Sequence, residues 1–262
     1  MFELRGLGFS VPGRTLLDDV SVVLRSHQVT GLIGHNGSGK STLIKLLARQ
    51  LRPSHGTVEF RRRAIKDWPI REFARNLAYL PQTPPSAAGL LVCELVAFGR
   101  YPWRGALGRL GPADHRAIEQ AMASTDVIRF ADQQVETLSG GERQRVWIAM
   151  LIAQDADCLL LDEPISALDV SHQVEVLSLV RQLATERGLG VVVVLHDINM
   201  AARYCDELVA LRGGRLVAQG SPQQIVTPEQ LQEIYGVTMG VMPHPDTGEP
   251  LSFVRQEQHI ND

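Results

Sequence analysis

The chain has 262 residues, 44% of them hydrophobic and 21% charged, with a formal net charge of -3. That composition supports a sizeable core in one large or two small domains and excludes a disordered chain. The slight acidic excess argues against a general nucleic-acid binder, and no apolar run approaches the roughly 20 residues of a membrane span. The N-terminal MFELRGLGFSV carries Glu3 and Arg5 and lacks the long apolar core of a signal peptide. Cys93, Cys158 and Cys205 are scattered without metal spacing and read as free buried thiols of a reducing compartment.

Residues 2–11 and 20–25 alternate apolar and polar, as half-exposed strands do. VTGLIG (29–34) is a short apolar run that stops at a glycine loop, and STLIKLLARQL (41–51) then has helical period. PSHGTVEF (53–60) reads as turn then strand, and LAYLPQ (77–82) as a short strand stopped by Pro81. From about 85 to 155 the texture becomes helical, in LLVCELVAFGR, PADHRAIEQAMASTDV and GERQRVWIAMLIAQ. Loops are expected within this insert at 101–111 and near 131–138. CLLLDE (158–163) and GVVVVLHD (190–197) are continuously apolar, the pattern of buried parallel strands, and a helix over 171–188 joins them. LVALRGGRLVAQG (208–220) reads as a hairpin around Gly213 and Gly214. Beyond about 237 the chain is richer in Pro, His and Asp and is expected to be loosely held. No internal repeat is evident.

GHNGSGKS (34–41) fits the phosphate-loop pattern G-x-x-x-x-G-K-[ST] in full, with a strand before it and a helix after. The glycines let backbone N–H groups face phosphate oxygens, and the helix N-terminus adds its positive dipole end. The expected nucleotide-binding set is Gly34, His35, Asn36, Gly37, Ser38, Gly39, Lys40, Ser41 and Thr42. Lys40 should reach the β- and γ-phosphates and Ser41 should offer its hydroxyl to Mg²⁺. His35 and Asn36 occupy variable positions of the pattern, and His35 is assigned no chemistry of its own.

Asp162 and Glu163 end an apolar strand, where ligands of open α/β sheets gather. Asp162 is expected to face Mg²⁺, partly through water, and Glu163 to polarise the attacking water. An Asp-Glu pair can also simply cap a strand before a turn at Pro164; the nearby phosphate loop favours the chemical role. His196 ends another apolar strand where a γ-phosphate would sit, although a lone histidine is usually structural. Gln82 follows the strand stopped by Pro81 and could touch metal or water.

LSGGERQR (138–145) is a second glycine loop. Ser139 can cap the following helix and Glu142 can close a capping box, but that leaves Gly140 and Gly141 unexplained, since paired glycines cost helix stability. Bare N–H groups and a hydroxyl at a helix start form an anion site. The helical insert should carry this loop away from residues 34–42, so its nucleotide is expected to be one held by a second copy of the chain. Ser139, Gly140, Gly141 and Glu142 would then act in trans, with SALD (166–169) on the same seam.

Taken together, GHNGSGKST, Gln82, LSGGERQR, CLLLDEP, SALD and His196 occur in the order and spacing of ABC transporter nucleotide-binding subunits, which residues 2–237 resemble. The resemblance implies an α/β P-loop NTPase: a RecA-like core with an N-terminal antiparallel β subdomain, an inserted α-helical subdomain (about 85–155), and a C-terminal tail (238–262). It implies ATP hydrolysis with Mg²⁺, catalytic roles for Glu163, His196 and Gln82, and metal contacts from Ser41, Gln82 and Asp162. It also implies a head-to-tail pair of copies docked on a permease at the cytoplasmic face of the bacterial inner membrane. A substrate-binding protein would be an indirect partner and nucleic acid none. CELVAFGRYPW (93–103), LHDINMAARYCD (195–206), VALRGGRLVAQG (209–220) and PHP (243–245) are similar to the iron-chelate, haem and cobalamin importers, and within them to ferric hydroxamate importers. Two positions depart from the family: Val11 stands where an aromatic usually stacks on adenine, with Arg14 as a replacement contact, and Ile165 stands where Thr is usual. A soluble ABC ATPase acting on nucleic acid or ribosomes is the alternative class. It fits less well, because the chain has one core, no heptad array and a slight acidic excess. A regulator that binds ATP without hydrolysing it is disfavoured by the intact Glu163 and His196.

Overall fold

A computed structural model describes residues 1–105, 108–166 and 168–255. Strands β1 (Phe2–Val11) and β2 (Arg14–Leu24) form a hairpin turned by Pro12 and Gly13. β3 (Val29–Ile33), buried at every position, delivers the chain to α1 (Lys40–Leu47). β4 (His55–Phe60) returns antiparallel to β1, and β5 (Arg63–Ala64) completes a four-stranded sheet of order β2-β1-β4-β5. A short helix, α2 (Ile70–Asn76), leads into β6 (Leu77–Leu80).

The insert contains α3 (Val92–Ala97), α4 (Tyr101–Arg104), α5 (Pro112–Ser124) and α6 (Gly140–Ala153). After it come β7 (Cys158–Leu161), α7 (Val170–Arg187), β8 (Gly190–Val194), α8 (Ile198–Tyr204), β9 (Glu207–Arg212) and β10 (Arg215–Gly220). α9 (Pro222–Ile225), α10 (Pro228–Tyr235) and a hairpin of β11 (Met239–Pro243) and β12 (Pro250–Val254) follow.

The central sheet has order β10-β9-β3-β8-β7-β6, parallel throughout except for the edge strand β10. Its apolar continuity has a direct cause, for each face packs into its own core. Val191 and Val193 of β8 join the core shared with the helices, whereas Val192 and Val194 join the one shared with the antiparallel sheet. Alternation along a strand is invisible when both faces are buried. The α/β class with an antiparallel β subdomain and a helical portion is the fold expected from the sequence; its division into two cores is not read from it.

Three local expectations are corrected. The segment 101–111 is not all loop, because Tyr101–Arg104 forms a helical turn with Pro102 near its start. Trp103 lies between the Arg75 and Arg100 guanidiniums, at 4.9 and 5.2 Å from its ring centre, and donates its indole N–H to the Gln154 carbonyl at 2.7 Å. The C-terminal region is not loose over 239–254: Ser252 is buried, and its N–H and hydroxyl donate to Asn199 Oδ1 at 2.8 and 2.9 Å. Asn199 Nδ2 in turn donates to the Ser252 carbonyl at 3.1 Å, so the hairpin is clamped to α8. Cys158 and Cys205 are buried as expected, but Cys93 is only half-buried. Among the described residues no helix is long and apolar enough to cross a membrane.

Candidate active site

The phosphate-loop residues follow β3, and their backbone needs the glycines. Gly34, Gly37 and Gly39 have φ of +136°, +78° and +106°, a region that side-chain-bearing residues rarely enter. A Cβ on Gly34 would collide with the Leu211 carbonyl, and one on Gly39 with Leu17 and the Leu16 carbonyl. Gly39 caps α1 without a side-chain bond, leaving the N–H groups of the first turn free to meet an anion.

Lys40 is buried, and its ammonium donates to the carbonyls of Gly34 at 2.7 Å and His35 at 3.0 Å. Burial pushes its pKa down, opposed by the Glu163 and Asp162 carboxylates, so both acids lie within electrostatic reach of the loop. His35 turns its ring onto the neighbouring Asn36 carbonyl at 2.7 Å. Ser38 is fully buried and its hydroxyl lacks a partner.

Adjacent parallel strands gather the acidic and polar residues. β6, β7 and β8 lie side by side, with Leu80 opposite Leu161 and Leu161 opposite Val193. Gln82, Glu163 and His196 each lie two residues beyond the carboxyl end of their strand. Glu163 Oε2 accepts from Gln82 Nε2 at 2.6 Å, and Glu163 Oε1 lies 2.7 Å from His196 Nε2. Glu163 itself has φ of +53°, an unusual backbone for a non-glycine residue and the type of strain that collects at working sites. The three residues expected to be catalytic are therefore one cluster in direct contact through Glu163.

Asp162 is fully buried, and neither carboxylate oxygen has a hydrogen-bond partner. Burial pushes its pKa up, while the nearby Ser41 hydroxyl and Lys45 ammonium pull the other way. A buried carboxylate with free oxygens beside a serine hydroxyl is an oxygen donor set suited to Mg²⁺, with nucleotide and water completing the coordination. Among the described residues no group of three or more His, Cys, Asp or Glu could hold a metal unaided.

The second glycine loop adopts the capping box expected from its sequence. The Glu142 N–H donates to Ser139 Oγ at 3.3 Å, and the Ser139 N–H donates to Glu142 Oε2 at 2.9 Å. The Ser139 hydroxyl, which donates to the same carboxylate at 2.7 Å, holds the Glu142 pKa below the usual range. None of these bonds reaches residues 34–42. A groove of about 400 Å³, lined by Gln82, Pro84, Gly140, Trp147, Glu163 and Leu168, separates this loop from the catalytic cluster.

The two unusual positions have distinct settings. Val11 is 40% exposed and pairs with Arg14 across the tip of the β1–β2 hairpin. At Gly37 an added Cβ would meet Arg14 Nη2 at 3.9 Å, which puts that guanidinium beside the phosphate loop. Ile165 is buried in the helical core, so its apolar side chain is accounted for by packing. Sequence reading missed Tyr235 at the end of α10. Its buried hydroxyl lies by the Gly34 N–H and the Asp197 carboxylate, and burial pushes its pKa up to about 12. No local pattern marks this residue; it reaches the loop only through the fold.

A family model described as "ABC transporter" matches residues 17–166. The iron(3+)-hydroxamate import ATP-binding protein FhuC of Bacillus subtilis is 38% identical over 94% of this chain and 91% of its own length. The ferric enterobactin transport ATP-binding protein FepC of Escherichia coli is 43% identical over 90% of this chain and 88% of its own. The hemin import ATP-binding protein HmuV of Pseudomonas entomophila is 41% identical over 97% of this chain and 100% of its own. Among solved structures, a metal-chelate type ABC transporter in an inward-facing conformation superposes with a TM-score of 0.85 at 26% identity, covering 97% of each chain. A dimeric bacterial ABC transporter cassette superposes with a TM-score of 0.73 at 26% identity, over 84% of this chain and 98% of that one.

Proposed function

The chain belongs to the ABC transporter family, and from that premise we propose that it is the ATP-hydrolysing subunit that energises import of ferric hydroxamate siderophores. As a member of that family it is an ATPase coupled to transport through a membrane permease. The observation that carries the catalytic reading is the placement of the Glu163 carboxylate between Gln82 and His196 and within reach of buried Lys40. The finer reading takes residues 2–237 as the ATPase domain, 85–155 as its helical insert and 238–262 as an appended segment. It puts the protein at the cytoplasmic face of the bacterial inner membrane, with a substrate-binding protein as an indirect partner and no nucleic acid.

Two copies would meet head to tail. Residues 34–42 of one would hold the phosphates of ATP, and Ser139, Gly140, Gly141 and Glu142 of the other would close over them. This pairing is supported by the similarity to a dimeric cassette. Glu163 would orient the attacking water, and His196 would exchange its bond to Glu163 for one to the γ-phosphate. Ser41, Asp162 and Gln82 would hold Mg²⁺, partly through water, and the bound ion would neutralise charge on the β- and γ-phosphates. The chain's own work is to position water and phosphate and to exclude bulk solvent as the pair closes.

Haem is the second reading of the cargo. It is favoured by the hemin-import relative, which aligns over 100% of its own length and 97% of this chain. The test is uptake of iron-labelled ferric hydroxamate and of haem in cells lacking the chain, restored by wild type or by Glu163→Gln. Loss of hydroxamate uptake, regained with wild type alone, supports the first reading. Loss confined to haem moves the cargo to the second, and unchanged uptake of both overturns these two cargoes and moves it to another iron chelate or to cobalamin, the ATPase role being kept.

A further inference from the structure

His172 lies on the first turn of α7, outside every motif assigned above. Its ring occupies the space that a Cβ on Gly141 would need. Its Nδ1 lies 2.7 Å from Asp169 Oδ1, and its backbone N–H donates to the same oxygen at 3.0 Å. The ring thus bridges the second glycine loop and the end of the segment that follows Glu163. We propose that His172 is a positioning residue that couples the two ATP sites of the head-to-tail pair by clasping each chain's Gly141 to its own Asp169. The inference rests on the composite-site reading of the previous subsection.

Several contacts make the clasp stiff. Asp169 caps α7 and also accepts from Ser171 Oγ at 2.9 Å. The His172 N–H, the Ser171 hydroxyl and the His172 ring hold the Asp169 carboxyl down at about 2, so it is ionised at neutral pH. Gln173 Nε2 donates to the Leu168 carbonyl at 2.9 Å, and the Leu168 side chain faces Gly140. One turn further on, Arg145 of α6 pairs with Glu175 of α7 at 2.6 Å. Two helices are therefore tied at their starts, the first lending its N-terminus to the partner's nucleotide.

Coupling follows from where the two ends of the clasp point. Residues 139–142 would answer to the ATP held by the partner, whereas residues 163–169 carry the chain's own catalytic carboxylate. Gly141 has no side chain through which to pass a displacement, so the ring resting on its backbone does so. A displacement of the loop by the partner's nucleotide moves Asp169, and through it the strand end bearing Glu163. Coupling of this kind is reciprocal, so occupancy of either site biases the other.

The test uses the full-length chain and three variants, His172→Ala, His172→Asn and Glu163→Gln. In His172→Ala the Hill coefficient for ATP hydrolysis should fall to one and kcat should fall about tenfold, while ATP affinity of the isolated chain stays within about twofold of wild type. His172→Asn keeps a donor toward Asp169 and should recover most of the cooperativity. Wild-type cooperativity and rate in His172→Ala, or a wild-type chain that is itself non-cooperative, would overturn the proposal. So would a parallel loss of rate, affinity and melting temperature at an unchanged Hill coefficient, the mark of a merely structural residue. Gel filtration of Glu163→Gln with ATP separates this from the underlying reading. A chain that stays single at saturating ATP removes the composite site itself, whereas a pair that forms while His172→Ala couples normally removes only the clasp.

Discussion

Glu163 and His196 meet at 2.7 Å, Oε1 to Nε2, across the ends of two neighbouring parallel strands. The same carboxylate is held from the other side by Gln82 at 2.6 Å. Glu163 is thus fixed by two partners with which a water and a γ-phosphate would compete.

Glu163→Gln retains the shape of the side chain and can still bond Gln82 and His196. Its fold should be unchanged within about 0.5 kcal/mol, because the side chain keeps its shape and its amide oxygen can still accept from Gln82. Steady-state phosphate release should drop on the order of a hundredfold or more, with ATP binding retained. Hydrolysis near the wild-type rate would remove Glu163 from its assigned role.

Lys40→Ala removes a buried ammonium that bonds two loop carbonyls, at Gly34 and His35. Nucleotide should then no longer raise the melting temperature, since that stabilisation is proportional to RT ln(1 + [L]/Kd). An ATP-induced shift equal to that of wild type would contradict the phosphate-loop assignment.

Asp162→Asn should separate stability from activity. The wild-type carboxyl is fully buried without partners and its pKa is raised by burial. A group shifted in this direction favours the fold below its ordinary pKa, and that contribution is lost as pH rises through the raised value. At neutral pH the neutral amide should therefore stabilise the nucleotide-free protein by about 1–3 kcal/mol, while Mg²⁺-dependent hydrolysis is lost. Thermal melting with and without MgATP measures both effects; a lower melting temperature in the nucleotide-free variant would be the opposite result.

Asp114→Asn should do the reverse. Burial pushes the Asp114 carboxyl up, but the Gly111 N–H and the Arg100 and Arg104 guanidiniums pull it further down, to about 2. Its contribution is present above the ordinary value of 3.8 and lost as pH falls through about 2. Breaking this buried network should cost about 3–5 kcal/mol at neutral pH, and the cost should shrink in acid. Urea unfolding at two pH values would check the sign.

Asn199→Ala removes all three bonds that clamp β12 to α8. A loss of about 1–3 kcal/mol is expected, together with faster amide exchange across residues 239–254. Unchanged exchange there would mean that the hairpin is held by other contacts.

The phosphate loop, the acidic strand end and the capping box were legible because each is written in consecutive residues with a strict backbone requirement. The meeting of Gln82, Glu163 and His196 was legible only in part: strand ends could be located, but their alignment depends on the β6-β7-β8 order. The folded hairpin beyond residue 237 was not. Its Pro, His and Asp content reads as loop, and the residue that captures it, Asn199, lies in a helix of only seven residues. The Tyr101–Arg104 turn was missed because its Trp103 is held by arginines and a carbonyl from other elements. Tertiary contacts decided both cases, and local propensity did not.

Lys40 adds a thermodynamic consequence to the phosphate loop. Its ammonium already serves the Gly34 and His35 carbonyls, so the loop carries an internal cross-link that keeps it shaped. At Lys40 an arriving phosphate displaces an incumbent rather than adding a bond to an idle donor. The Lys40 contribution to affinity is then the difference between two comparable sets of contacts. The loop should therefore show little ordering entropy on binding, and the heat released should be smaller than a count of phosphate contacts suggests.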